Sequence, residues 1–315
     1  ATPAAPKTDY SAILKNLRFR EIGPAAMGGR IDDVAVVESD PSIVYVGAAS
    51  GGVFKTTNGG TTFTPIFDDQ PVSTIGDLAV APSDPSILWV GTGEPNNRQS
   101  SSWGNGIYKS TDAGVTFKHM GLNETHHIGR VLIHPNFPNT VYVAAVGKLW
   151  GASKERGVYK TTDGGATWTQ VLFINEDTGV VDLAMDSQSP GTLYAAAYQR
   201  RRTVFGFSGG GPGSAIYKTT DAGATWTKLT AGLPYADGSD TGRIGLSAYR
   251  RDSSIVYAII EHPKGGVFRS NDKGASWTKM SDTNPRPMYY SQIVIDPNND
   301  QRIWVMGAQM FYSED

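Results

Sequence analysis

The chain has 315 residues, 39% of them hydrophobic, enough for one large folded domain. A formal net charge of −2, with no block of like charge, argues against nucleic acid or an anionic membrane as the main partner. There is no cysteine to form a disulfide, and no apolar run approaches the ~20 residues of a transmembrane segment.

In chain order, residues 1–8 are rich in Ala, Pro and Thr and read as a flexible leader, which we extend to residue 16. Without Met at position 1, they read as what remains after signal-peptide cleavage at a small-residue site, so the expected location is periplasmic, cell-surface or extracellular. Residues 9–17 alone look helical. From residue 17 to 315 the pattern is β: short β-branched and aromatic runs separated by turn residues such as Ser83-Asp84-Pro85-Ser86.

One phrase recurs through this region: hydroxyl, any residue, Asp, any residue, Gly, any residue, Thr or Ser, aromatic. Its third positions are Asn58, Asp112, Asp163, Asp221 and Asp272, and its aromatics are Phe63, Phe117, Trp168, Trp226 and Trp277. A sixth copy opens at Ser313-Glu314-Asp315, where the sequence stops. Successive third positions lie 43 to 58 residues apart, and a period of that size signals an array of similar units. Within each unit the carboxylate can accept hydrogen bonds from its own turn, the Gly can take positive φ, and the aromatic can tuck back into the sheet. A metal reading fails, because an EF-hand needs more carboxylates and a distal Glu. No metal or cofactor is expected.

Each unit therefore predicts a four-stranded antiparallel blade, at 30–67, 74–120, 127–173, 179–229, 242–280 and 288–315. Such sheets cannot bury both faces alone, so radial stacking into an all-β propeller of about six blades is predicted. Leu17-Arg18-Phe19-Arg20-Glu21-Ile22 resembles a fourth strand and could complete the last blade. The stop inside a sixth phrase favours a longer parent with more blades.

The phrase is the Asp-box, or BNR repeat, and on these copies the chain resembles the Asp-box propeller family from about residue 17 onward. The stretches Gly93-Glu94-Pro95-Asn96-Asn97-Arg98, Gly157 to Gly165 and Asn284-Pro285-Arg286-Pro287 most resemble exported bacterial proteins described as sortilin-like or glycosyl-hydrolase-like. The wider family includes sialidases, xyloglucanase-type glycoside hydrolases and sortilin-type receptor domains. Sialidases place an arginine in a Phe/Tyr-Arg-Ile-Pro phrase, which Phe19-Arg20-Glu21-Ile22 interrupts, so Arg20 reads as a solvated strand residue. In xyloglucanase-type enzymes a first-blade carboxylate lies in an Asp-Gly-Gly phrase. The matching position here is Ser50 in Ala49-Ser50-Gly51-Gly52, and a hydroxyl is no general base at neutral pH without an activating partner.

Other polar residues open the inner strands and should ring the central channel: Asp33, Asp77, Arg130, Asp182, Arg243 and Gln292, with Arg30 nearby. They read either as an anion or sugar pocket or as a mutually neutralising ring. Insertions at 94–105, 148–156 and 199–214 should share one rim, where Arg98, Trp103 and Trp150 are ligand-binding candidates, and 209–213 reads as a flexible tip. The favoured expectation is an exported, non-catalytic propeller that binds protein or carbohydrate, alone or as a subunit of a larger assembly. The alternative is a glycoside hydrolase whose acid and base come from Asp33, Asp77, Asp182 and Glu94.

Overall fold

The structure, a computed structural model, describes residues 30–99 and 101–315. The leader, the helix expected at 9–17, the strand expected at 17–22 and Arg20 lie outside the described residues. The described part is β throughout apart from one 3-10 turn, Asn123–Thr125.

Six sheets follow one another in sequence. Four have four antiparallel strands in up-and-down order, the fourth sheet adds Gly206–Gly209 to the same four, and the last, Ile293–Asp296, Asn299–Val305 and Phe311–Ser313, has three. Their inner strands are Ile31–Val36, Ile75–Ala81, Ile128–His134, Thr178–Met185, Ile244–Ala248 and Ile293–Asp296, and each of the first five stands against the inner strand of the next blade. Alternation along each strand sends one set of side chains toward the preceding blade and the other toward the following one. The apolar core is accordingly a series of layers between blades. One joins Tyr45, Leu78, Leu88 and Tyr108; another joins Trp89, Ile107, Val131 and Val143.

The Asp-boxes form five equivalent turns. In the third copy the Thr161 hydroxyl accepts from the N–H groups of Asp163 and Gly165 and donates to Asp163 Oδ1 at 2.7 Å. Asp163 then accepts from Thr167 N–H at 3.0 Å and from its hydroxyl at 2.6 Å. Hydrogen bonds led by the closing hydroxyl hold the carboxyls of Asp112, Asp221 and Asp272 down at about 2. Asn58 fits the same turn, because its amide can donate to Thr62 Oγ1 at 2.9 Å while its carbonyl oxygen accepts from Thr62 N–H. The sixth copy begins the same way, with Ser313 Oγ donating to Asp315 Oδ1 at 2.6 Å.

The turns also join neighbouring blades. Ala113, Ala222 and Lys273, each the residue after a box Asp, have φ near +58°, and this turns their carbonyls toward the preceding blade. There a strand-two tyrosine and a strand-three lysine both donate to the same oxygen. Tyr142 and Lys160 reach Ala222 O at 3.0 and 2.9 Å, and Tyr194 and Lys218 reach Lys273 O at 2.9 and 2.6 Å. The box aromatics differ from the sequence expectation in the same sense. Trp168 packs edge-on against Trp89 of the preceding blade at 6.0 Å, and Phe117 against Phe67 at 5.0 Å, instead of folding back on their own sheets. Phe63, in the first described blade, is exposed.

Candidate functional site

On the axis, Arg130 gathers three inner-strand carboxylates. Its guanidinium lies 2.9 Å from Asp77, 2.8 Å from Asp182 and 4.0 Å from Asp33. Each carboxylate also accepts a backbone N–H from the next inner strand: Asp33 from Leu78 at 2.9 Å, Asp77 from Val131 at 2.7 Å and Asp182 from Leu246 at 2.8 Å. Both oxygens of Asp77 are thus committed and buried. Burial, opposed by Arg130, raises the carboxyls of Asp77 and Asp33. These residues pin blade to blade around a shared cation, and the geometry leaves no open carboxylate pair among them.

Glu94 opens the blade-two insertion and is fully buried. Arg30 clamps it through two parallel bonds, Nε at 2.9 Å and Nη2 at 2.5 Å. Beyond it the insertion does not keep to the rim. Arg200 of blade four donates to Pro95 O at 2.6 Å and Asn97 Oδ1 at 2.8 Å, and Asn97 donates to Tyr198 Oη and Met288 O. Pro95–Asn97 therefore crosses from blade two to blade four and the approach to the last sheet. Arg243 is buried on the axial pocket and donates to Tyr289 O at 2.8 Å.

Sequence reasoning passed over Asp32. The inner strands of blades one to four each carry a β-bulge at one place, and the extra residue is Asp32, Gly76, Gly129 or Val181 in turn. At Gly76 and Gly129 a Cβ would lie within 2.3 Å of a carbonyl oxygen of the next blade, so no side chain fits there. Blade one puts a carboxylate at this position, at the axial pocket lined also by Asn96, Arg243 and Gln292. Asp32 Oδ1 accepts from Asn96 Nδ2 at 2.9 Å, while Oδ2 is buried and has no partner among the described residues. Burial first, then the charge of Glu94, pushes its carboxyl up to about 8. Aligning the bulge positions was the signal that could have found it. Ser50 is exposed at the nearby turn that ends strand two of blade one.

The remaining candidates sit on the outer rim. Arg98 is exposed beside the Ser101 turn. Trp103 and Trp150 are 65% and 57% exposed and flank a cleft of about 270 Å³ with His126, His127, Lys148 and Leu149. The 199–214 insertion is a hairpin, Leu193–Thr203 with Gly206–Gly209, and not a loop with a glycine tip. Its tip is Val204–Phe205, whereas Gly211 is anchored by its N–H to Thr241 O at 3.0 Å.

Five boxes with one hydrogen-bond pattern, set at equivalent corners of radially stacked sheets, decide the architecture. The chain is an Asp-box β-propeller. A family model described as Sortilin, neurotensin receptor 3, matches residues 105–258. A Paenibacillus protein named xyloglucanase is 27% identical over 89% of this chain and 28% of its own length. The xyloglucanase Xgh74A of Acetivibrio thermocellus is 25% identical over 79% of this chain and 32% of its own. Among solved structures, a GH74 xyloglucanase from Xanthomonas campestris superposes with a TM-score of 0.68 at 19% identity, over 90% of this chain and 45% of that one. The chain thus spans roughly a third of the length of these curated relatives. The expectation of a non-catalytic binding or scaffold propeller is corrected here, since the relatives that match most of the chain are named as enzymes.

Proposed function

We propose that this propeller belongs to a glycoside hydrolase acting on a polysaccharide, with Asp32 as its proton donor. The observation that carries the reading is the placement of Asp32, a carboxyl at the axial pocket on the bulge where the next three blades have Gly76, Gly129 and Val181. A carboxyl pushed to about 8 holds its proton at neutral pH, as a general acid must. Its Oδ2 is buried and has no hydrogen-bond partner among the described residues. In the proposed step the glycosidic C–O bond breaks, the Asp32 proton passes to the leaving oxygen, and water supplies the hydroxyl to the anomeric carbon. A second carboxylate must take the water's proton or attack first. Glu94 is closed to that role by Arg30 and by burial, so the proposal assigns the acid alone. The names of the relatives favour a polysaccharide substrate. Such a polymer does not cross membranes, which favours an exported protein, and no helix among the described residues is long and apolar enough to span a bilayer.

The test is release of reducing ends from a panel of polysaccharides. Asp32→Asn should lower turnover at least about a hundredfold, the scale of general acid catalysis. Ser50→Ala should leave it unchanged. No release from any member of the panel, or full activity in Asp32→Asn, refutes the proposal.

A further inference from the structure

Two clefts meet at Trp150. One is the cleft toward Trp103. The other is a groove of about 460 Å³ lined by Gln99, Trp150, Arg202, Phe205 and Phe207. Together they make a track across the insertions of blades two, three and four, with exposed aromatic rings on both sides, Phe205 at 98%. Arg202 lines the second of them, beside Trp150. Its guanidinium carbon is 5.9 Å from the Trp150 ring centre and 5.0 Å from that of Phe207, its cross-strand neighbour. The backbone is fixed, since Arg202 N–H donates to Leu149 O at 2.8 Å.

The charge pattern on this track is selective. Arg201, one residue earlier, pairs with Asp177, and Lys148 lies 3.4 Å from Glu124. Arg202 has no carboxylate within ion-pair distance among the described residues, and its Nε is buried without a partner. The two rings lie beside the guanidinium, and with Nε buried its Nη1–Nη2 end is the edge left without a hydrogen bond among the described residues. A guanidinium edge matches one kind of group best, a planar oxyanion that takes two parallel N–H bonds. Flat apolar rings beside it suit the C–H faces of pyranose sugars.

We infer that this track binds a polysaccharide carrying uronic acid residues, with sugar faces on Trp150 and Trp103 and a uronate carboxylate on Arg202. The inference deepens the glycoside hydrolase reading by naming the substrate class, and it rests on that reading for its choice of a glycan over an acidic peptide. The chain should be titrated calorimetrically with an oligogalacturonide, a neutral xyloglucan oligosaccharide and a poly-glutamate peptide, at low and high salt. The oligogalacturonide should bind at least about tenfold more tightly than the other two and weaken with salt. Arg202→Gln should remove that preference, Arg202→Lys should restore only part of it, and Trp150→Ala should weaken every glycan. Arg202 and Trp150 are partly exposed, so these variants should keep the parent's unfolding midpoint. Equal binding of acidic and neutral glycans, tighter binding of poly-glutamate, no glycan binding, or unchanged affinity in Arg202→Gln would each overturn the inference. Binding is read apart from turnover. Hydrolysis of neutral polysaccharides without uronate preference would sink this inference alone, and uronate binding without any hydrolysis would sink the catalytic proposal alone.

Discussion

The strongest test of the Asp32 assignment is thermodynamic. An unfolded aspartate titrates near 3.8, whereas folded Asp32 titrates at about 8, because burial and the neighbouring Glu94 disfavour its charged form. Below the unfolded value both states hold the proton and the shift has no effect. Between the two values the unfolded chain has released a proton that the folded chain keeps. Stability therefore falls as pH rises from about 4 to about 8, and levels off above the folded value. Each pH unit of difference is worth 1.36 kcal/mol, so at pH 7 the cost reaches ~4 kcal/mol as a ceiling. Asparagine keeps the shape and the oxygen that accepts from Asn96 but has no proton to lose. Asp32→Asn should thus match the parent near pH 4 and exceed it by ~2–4 kcal/mol at pH 7. Urea unfolding of both proteins at several pH values, with equal m-values required, measures this difference and cancels the titration of Asp33 and Asp77. The same variant should be more stable and less active, the trade expected of a strained catalytic group. A stability difference that does not change with pH, or that favours the parent at neutral pH, refutes the argument.

Three further outcomes follow from the packing. Tyr142 and Lys160 donate to one carbonyl, so Tyr142→Phe and Lys160→Met should each cost ~0.5–1 kcal/mol, while the double variant leaves Ala222 O unmet and costs ~1 kcal/mol more than their sum; additive values in a double-mutant cycle would contradict the shared-acceptor geometry. Trp89→Ala, which empties the fully buried layer against Trp168, should cost ~3–5 kcal/mol in urea unfolding, and a loss below ~1 kcal/mol would show that the layer can collapse. Arg130→Met should cost ~3–5 kcal/mol at neutral pH by leaving buried carboxylates without a counter-charge. That loss should shrink in acid, where Asp77 and Asp33, already raised, take up protons.

The repeat was legible because its cause is local. An Asp or Asn, two hydroxyls and a glycine close one turn within eight residues, so the chemistry is written contiguously five times. The inter-blade use of the same turn was not legible. Nothing near Asp221 in sequence says that the carbonyl of Ala222 will meet Tyr142 and Lys160 some 62 to 80 residues earlier. The inner-strand polar positions were found by the same alignment of units, but their purpose depends on contacts between units, and Asp77 is consumed by Val131 N–H and Arg130. Asp32 was missed for the opposite reason. Reading each blade for what it shares hides a residue whose meaning is that it differs, a carboxylate where blades two and three have Gly76 and Gly129.

The crossing segment Pro95–Asn97 explains why the two proposed roles fall in different places. A propeller channel is the natural site for a small ligand, yet here Arg200 and Tyr198 tie that segment across the axis, and the pocket left beneath it is lined largely by paired polar groups. A polymer cannot thread such a pocket. It can lie along the rim, where the insertions of blades two to four expose tryptophan faces, and Asp32 can meet a linkage only if the crossing segment moves aside. Asp32 is set on the first inner strand, bonded to Asn96 of that crossing segment, and raised by burial and then by the Glu94 that Arg30 holds in place. Under the two proposals the insertion has three roles: it covers the axial pocket, borders the proposed acid and begins the proposed track. Loosening it through Asn97→Ala, which removes its bonds to Tyr198, Met288 and Arg200, should move the alkaline limb of any pH–rate profile to lower pH and weaken glycan binding together. Separate responses of the two would mean that acid and track are independent features of the fold.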